Sequence, residues 1–164
     1  MTTPKLTSFA PPQGGAQPAW ERPGAGCGAM TAADWIADSA RRTPDKVALR
    51  HGPEALSYAA LAAQCEQIAA ALAAQGLASG GCVAWLGLNS PRMLATLFAC
   101  ARLGAIFMPL NWRLAPPEHA AMLRDCTPAL LVVDENFAAA SGAQRIAPAT
   151  TRCIAFGAAP PGWM

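Results

Sequence analysis

The sequence predicts an α/β fold: a partly parallel sheet with flanking helices. Three observations lead there. Two short runs without a charge, Cys82–Leu88 and Leu130–Val133, have the apolar composition of strands buried on both faces. Two segments opened by cap residues or proline, the first closed by a glycine, lie between them and read as helices. The resulting order is strand, helix, strand, helix, strand, and parallel neighbours joined this closely require right-handed crossovers.

Each element has its own warrant. Residues 1–30 are rich in Pro, Gly, Gln and Ala and lack the continuous apolar core of a signal peptide, so a disordered tail is expected. Thr31 followed by Asp34 resembles an N-cap with an acidic residue placed for the helix dipole, and Pro44 bounds a helix over 31–42. Lys46–Arg50 and Ala55–Ser57 flank His51-Gly52-Pro53-Glu54, which predicts a small hairpin. Tyr58, Leu61, Cys65, Ile68 and Leu72 then recur at helical spacing, up to a stop at Gly76.

After the strand at Cys82–Leu88, Asn89-Ser90-Pro91 supplies a cap and a first-turn proline for a helix that stops at Gly104. Met93, Leu94, Leu97, Phe98, Cys100 and Ala101 leave that helix almost no polar face. It is therefore expected to be covered on both sides, with little of this chain left for the second. A strand over Ala105–Met108, a helix from Pro116-Pro117-Glu118 to Asp125 and the strand Leu130–Val133 complete the pattern. The expected division is a tail over 1–30, one subdomain over 31–140 and an irregular end over 141–164.

Composition excludes several function classes. A chain of 164 residues is one domain's worth, and a net charge of +2 from scattered arginines argues against a nucleic-acid surface. The longest uncharged run, Gln67–Pro91, is broken by Gly76, Gly80, Gly81 and Asn89, so no membrane span is expected and a cytoplasmic location is. Cysteines at 27, 65, 82, 100, 126 and 153 form no C-x-x-C pair and read as reduced, mostly buried thiols, with neither a disulfide framework nor a metal site.

Two landmarks stand in order. Leu56-Ser57-Tyr58 with Leu61 is the first; Leu103-Gly104-Ala105 running into Pro109-Leu110-Asn111 is the second. Together they resemble the N-terminal part of the adenylate-forming, or AMP-binding, enzymes, and the Asn-Trp-Arg-Leu ending is similar to acyl-CoA synthetases. The resemblance covers about Thr31–Glu135. It implies the N-terminal part of the acetyl-CoA-synthetase-like fold, incomplete, and a two-step acid-thiol ligase. A carboxylate attacks the α-phosphate of ATP, then the thiol of coenzyme A captures the acyl-adenylate. ATP, Mg and CoA are the implied cofactors of the complete enzyme, and a fatty or aromatic carboxylic acid its substrate.

The same resemblance implies a phosphate loop, residues that hold adenine and a catalytic lysine that this chain lacks; Lys5 and Lys46 follow no glycine-rich turn. The 164-residue chain is therefore expected to be inactive alone, to bind none of those cofactors tightly, and to self-associate through uncovered apolar surface. Two other readings stay open: a non-catalytic protein-interaction module, or a small nucleotide-binding α/β domain.

One residue stands out as a binding candidate. Arg113 follows a strand whose carboxyl end is where open α/β sheets gather ligands, and an arginine there can grip a phosphate. The resemblance places the arginine of this segment near the coenzyme A nucleotide. The plainer alternative makes Asn111 a turn cap, Trp112 a cover for the core edge, and Arg113 solvated or paired with Glu118. Asn89-Ser90 reads as capping and Gly80-Gly81 as a turn. His51 and His119 read as solvated or packed, and Tyr58 as core.

Overall fold

The structure, a computed structural model, describes residues 32–138 and 146–156. The expected tail over 1–30 and the Thr31 cap lie outside them. Helix α1 (Ala32–Arg42) leads to a hairpin of β1 (Val47–His51) and β2 (Glu54–Ser57), then to α2 (Tyr58–Ala74). The first landmark has a local cause. Leu56 packs toward Leu61 and Ala95, and the Ser57 hydroxyl accepts the Ala60 N–H at 3.2 Å as the α2 N-cap, so one tripeptide ends a strand and starts a helix.

A four-stranded, wholly parallel sheet follows: β3 (Cys82–Leu86), β4 (Ile106–Leu110), β5 (Leu130–Val133) and β6 (Arg152–Ala155), in the order β4-β3-β5-β6. Helices α3 (Pro91–Leu103) and α4 (Pro116–Cys126) make the crossovers, and α5 (Glu135–Ala138) is a single turn after β5. Because the chain steps one way from β3 to β4 and the other way from β4 to β5, right-handed crossovers put α3 and α4 on opposite faces. The residue alternation agrees. Val83, Trp85, Leu130 and Val132 pack with Ala99, Cys100 and Leu72; Ala84, Leu86, Leu131 and Val133 pack with Leu123. Full burial of each such Leu or Val contributes about 1.5–3 kcal/mol.

The second landmark is also legible as geometry. Gly104 ends α3 with φ 65°, the left-handed region, and a Cβ there would meet the Ser79 hydroxyl at 2.7 Å, so both torsion and space call for glycine. Pro109 lies in β4, opposite Trp85. Ile106 donates its N–H to Gly81 O on the β3 side, so the alternation of a parallel ladder turns residues 107 and 109 outward. The missing N–H of Pro109 therefore falls on the solvent edge, where it costs no ladder bond.

Two expectations need correction. The segment 141–164 is not irregular throughout, since Arg152–Ala155 forms β6 by pairing Leu130 with Arg152 and Val133 with Ala155. A four-residue strand borrows its order from a buried neighbour and carries little signal of its own. The second side of α3 also needs no outside cover: α1 and α2 supply it. Leu61, Cys65 and Ala95 form a buried cluster there with Ile36 and Phe98 against it. The alanine-rich α2 leaves room for close helix packing, which the apolar count on α3 alone could not reveal. Among the described residues no helix is long and apolar enough to cross a membrane.

Candidate functional site

The carboxyl ends of β3, β4 and β5 all face one way, and two features gather there. Between β3 and β5, whose onward connections diverge, lies a cleft of about 730 Å³ walled by the β1–β2 hairpin on one side and by Ser90, Arg92, Asp134 and Glu135 on the other. Such a divergence point is where open α/β sheets accommodate ligands. Arg92 spans it to Glu135 at 2.9 Å, and its guanidinium also lies over the Phe156 ring, 5.9 Å from the centroid. Asp134 is buried; its Oδ1 accepts both the backbone N–H and the side-chain amide of Asn136 at 3.2 Å, which fixes the start of α5. Gly87 makes room for this corner, because a Cβ there would sit 2.6 Å from Asp134 Cβ.

At the end of β4 the chain turns through Asn111–Ala115. Three backbone N–H groups of the turn find acceptors. Arg113 donates to Asn111 Oδ1 at 3.1 Å, Leu114 to the Asn111 carbonyl at 3.1 Å, and Ala115 to Glu118 Oε2 at 2.8 Å. The His119 ring, 5% exposed, places Nε2 2.8 Å from the same Asn111 carbonyl; a carbonyl only accepts, so Nε2 carries the proton. Trp112 stacks at a tilt on Phe137 with centroids 5.8 Å apart, and the Arg113 guanidinium lies 4.8 Å from the Trp112 ring centroid. The result is an exposed cation on a prearranged arm at the carboxyl edge of the sheet.

Of the residues weighed from sequence, Asn111 caps the turn and Glu118 engages Ala115 N–H; Arg113 is exposed and lies over Trp112, so of the plainer alternatives solvation fits and pairing with Glu118 does not. Ser90 caps α3 by accepting Met93 N–H at 3.2 Å. His51 is exposed on the hairpin and Tyr58 only half-buried. For Arg92 the sequence carries a single signal, its place two residues after a capping serine. Of the two readings left open for His119, solvated or packed, the structure has it packed, and its bond to Asn111 crosses a turn that no spacing rule marks.

Burial disfavours the thiolate form of the five described cysteines. Burial pushes the Cys100 thiol up to about 12 and Cys65 to about 11; Cys126 rises to about 11 by burial and the neighbouring Cys82. Cys82 and Cys153 are raised too, again by burial. All five are free thiols. Among the described residues no group of three or more His, Cys, Asp or Glu side chains could hold a metal ion.

Comparison with known proteins gives a consistent picture. The family described as AMP-binding enzyme matches residues 36–162. The chain is 53% identical over 135 residues to indoleacetate-CoA ligase of Aromatoleum aromaticum, covering 82% of this chain and 26% of that protein. It is 44% identical over 98 residues to feruloyl-CoA synthase of an Amycolatopsis species, covering 60% and 20%. Among solved structures it superimposes on the anthranilate CoA ligase AuaEII in complex with anthranoyl-AMP with a TM-score of 0.73 and 26% identity, covering 82% of this chain and 26% of that one. The o-succinylbenzoate CoA synthetase of Bacillus subtilis gives 0.64 at 28% identity, covering 72% and 30%. The chain thus spans about a quarter of the length of these relatives.

Proposed function

This chain belongs to the AMP-binding enzyme family, and from that premise we propose that it is the N-terminal part of an ATP-dependent acyl-CoA synthetase acting on an aromatic or fatty carboxylic acid. The identity with indoleacetate-CoA ligase carries the reading. The aromatic acids named in that relative and in feruloyl-CoA synthase favour an aromatic substrate over a fatty one. The reaction joins the acid to ATP, releases pyrophosphate, and passes the acyl group from AMP to the thiol of coenzyme A.

The residues present do not fit ATP and magnesium: this chain holds no glycine-rich phosphate loop with its lysine, and the described residues offer no metal cluster. No step at the α-phosphate is assigned to them. They do fit one portion of coenzyme A. Arg113, exposed and steadied by Trp112, offers a planar donor fork suited to a phosphate oxygen pair. Its role is to hold the nucleotide end of the cofactor while the thiol reacts elsewhere. In this division of labour the parallel sheet is a rigid mount and the 111–115 turn is the contact.

The test is a chimera in which residues 36–162 replace the matching segment of the Aromatoleum ligase. We expect it to make indoleacetyl-CoA, and the 164-residue chain alone to show no acid-dependent ATP–pyrophosphate exchange. Exchange by the chain alone, or a folded chimera dead in both half-reactions, overturns the reading. Within the chimera, Arg113→Ala should leave adenylation intact and raise the KM for coenzyme A by about 10- to 100-fold, the equivalent of one charged hydrogen bond.

A further inference from the structure

Asn111 is the hub of the turn that displays Arg113. Its side chain accepts one backbone N–H and its carbonyl accepts two donors, Leu114 N–H from within the turn and His119 Nε2 from α4. The first two contacts are local and sit at the surface. The third is different in kind, because His119 is 5% exposed and rides on a helix whose Leu123 is fully buried against the sheet. Among the described residues it is the bond of the turn that is anchored in the core.

That geometry has a mechanical consequence. The Asn111 carbonyl fixes the direction in which the chain leaves β4, and the next residue, Trp112, sets the plane on which the Arg113 guanidinium lies. Without the histidine the carbonyl keeps only its bond to Leu114, and the peptide plane loses its restraint from the core. A tilt there moves the stacked arginine as a unit. The imidazole is a suitable strut because it is flat, buried, and reaches the carbonyl from α4 across the whole turn.

We infer that His119 is a positioning residue for capture of coenzyme A: by donating from Nε2 to the Asn111 carbonyl it aims the Arg113 guanidinium, without itself touching the cofactor. The inference rests on the reading of Arg113 given above. It assigns to α4 a part in the second half-reaction and none in the first.

Two variants separate the roles of His119. His119→Leu keeps apolar volume and removes the donor, whereas His119→Gln keeps an N–H within reach of the carbonyl. In the chimera, His119→Leu should raise the KM for coenzyme A roughly 3- to 10-fold, the scale of one neutral hydrogen bond, with acid-dependent pyrophosphate exchange and kcat unchanged. His119→Gln should restore most of the loss. In the 164-residue chain, long-range proton–nitrogen NMR should find His119 protonated at Nε2, and amide exchange at Leu114 should quicken in His119→Leu and recover in His119→Gln.

The outcomes are distinct. If Arg113→Ala raises the KM and His119→Leu does not, the positioning role is wrong and the arginine stands. If neither changes it, the reading of Arg113 has failed and this inference goes with it. Equal loss in both half-reactions, or a histidine protonated at Nδ1 alone, reduces His119 to a structural residue and overturns the proposal. Should His119→Leu not fold, His119→Met against His119→Gln makes the same comparison.

Discussion

Val83, Trp85, Leu131 and Val133, in the middle of the sheet, are 0% exposed and pack among apolar neighbours, whereas Asn111, Trp112 and Arg113, one strand-end away, stand in water and are held by hydrogen bonds and ring contacts. The first region is stabilised by area, which is additive, weakly directional and large. The second is held by directional bonds worth about 0.5–1.5 kcal/mol each. Substitutions in the middle should therefore change how much of the chain is folded, and substitutions in the turn should change where one guanidinium points.

The largest effect that could break this contrast is Leu131→Ala. Truncation of a fully buried leucine should cost about 2–5 kcal/mol, read from urea midpoints; a loss under about 1 kcal/mol would mean that the two helix layers are not packed on the sheet as described. Alkaline pH probes the same interior. The Cys100 thiol rises from its ordinary 9.0 to about 12 by burial, so the unfolded chain gives up this proton before the folded chain does. Stability from this group is complete below pH 9 and drains as pH climbs toward 12, by about 2 kcal/mol at pH 10.5. Cys100→Val should reduce that slope to the share of the other raised thiols, and an unchanged slope would place the titration elsewhere.

Asn111→Ala belongs to the turn and should cost only about 1 kcal/mol of stability, while loosening amide exchange at Arg113; a core-sized loss would erase the distinction between the regions. The smallest effect is expected at Arg92→Ala. Its pair with Glu135 has both side chains nearly half exposed, so the change should be at most about 1 kcal/mol and fade in high salt. A larger, salt-independent loss would show that the contact with Phe156, not the ion pair, supports the cleft wall.

The same contrast explains what could be read in the sequence. The middle strands were legible because Cys82–Leu86 and Leu130–Val133 must be apolar on both faces, and composition records that directly. The Ser90 cap and the Gly104 stop were legible too, because local backbone geometry chooses them; the Ser57 cap of α2 was not, since the sequence reads Ser57 as the end of a strand. β6 was not, because Arg152-Cys153-Ile154-Ala155 gains its order from β5 and from an Arg152 bond to the Gln75 carbonyl, 2.7 Å away and far along the chain. At the site, Arg113 could be nominated from position after a strand, but its stacking on Trp112 and the strut from His119 depend on how α4 packs. Pairwise contacts between elements leave no period in the sequence.

The edge made by Pro109 gives the sheet a direction in time. Pro109 leaves the outer side of β4 one donor short, while β5 joins the free side of β3 and β6 the free side of β5, so each later described strand pairs at an open edge in chain order. A nascent chain can seat each new strand beside one already in place, with no pair to break and no strand to thread between partners. Vectorial synthesis at about 5–20 residues per second is slow beside the pairing of a short strand, and the ribosome would act as a timer that keeps wrong registers from competing.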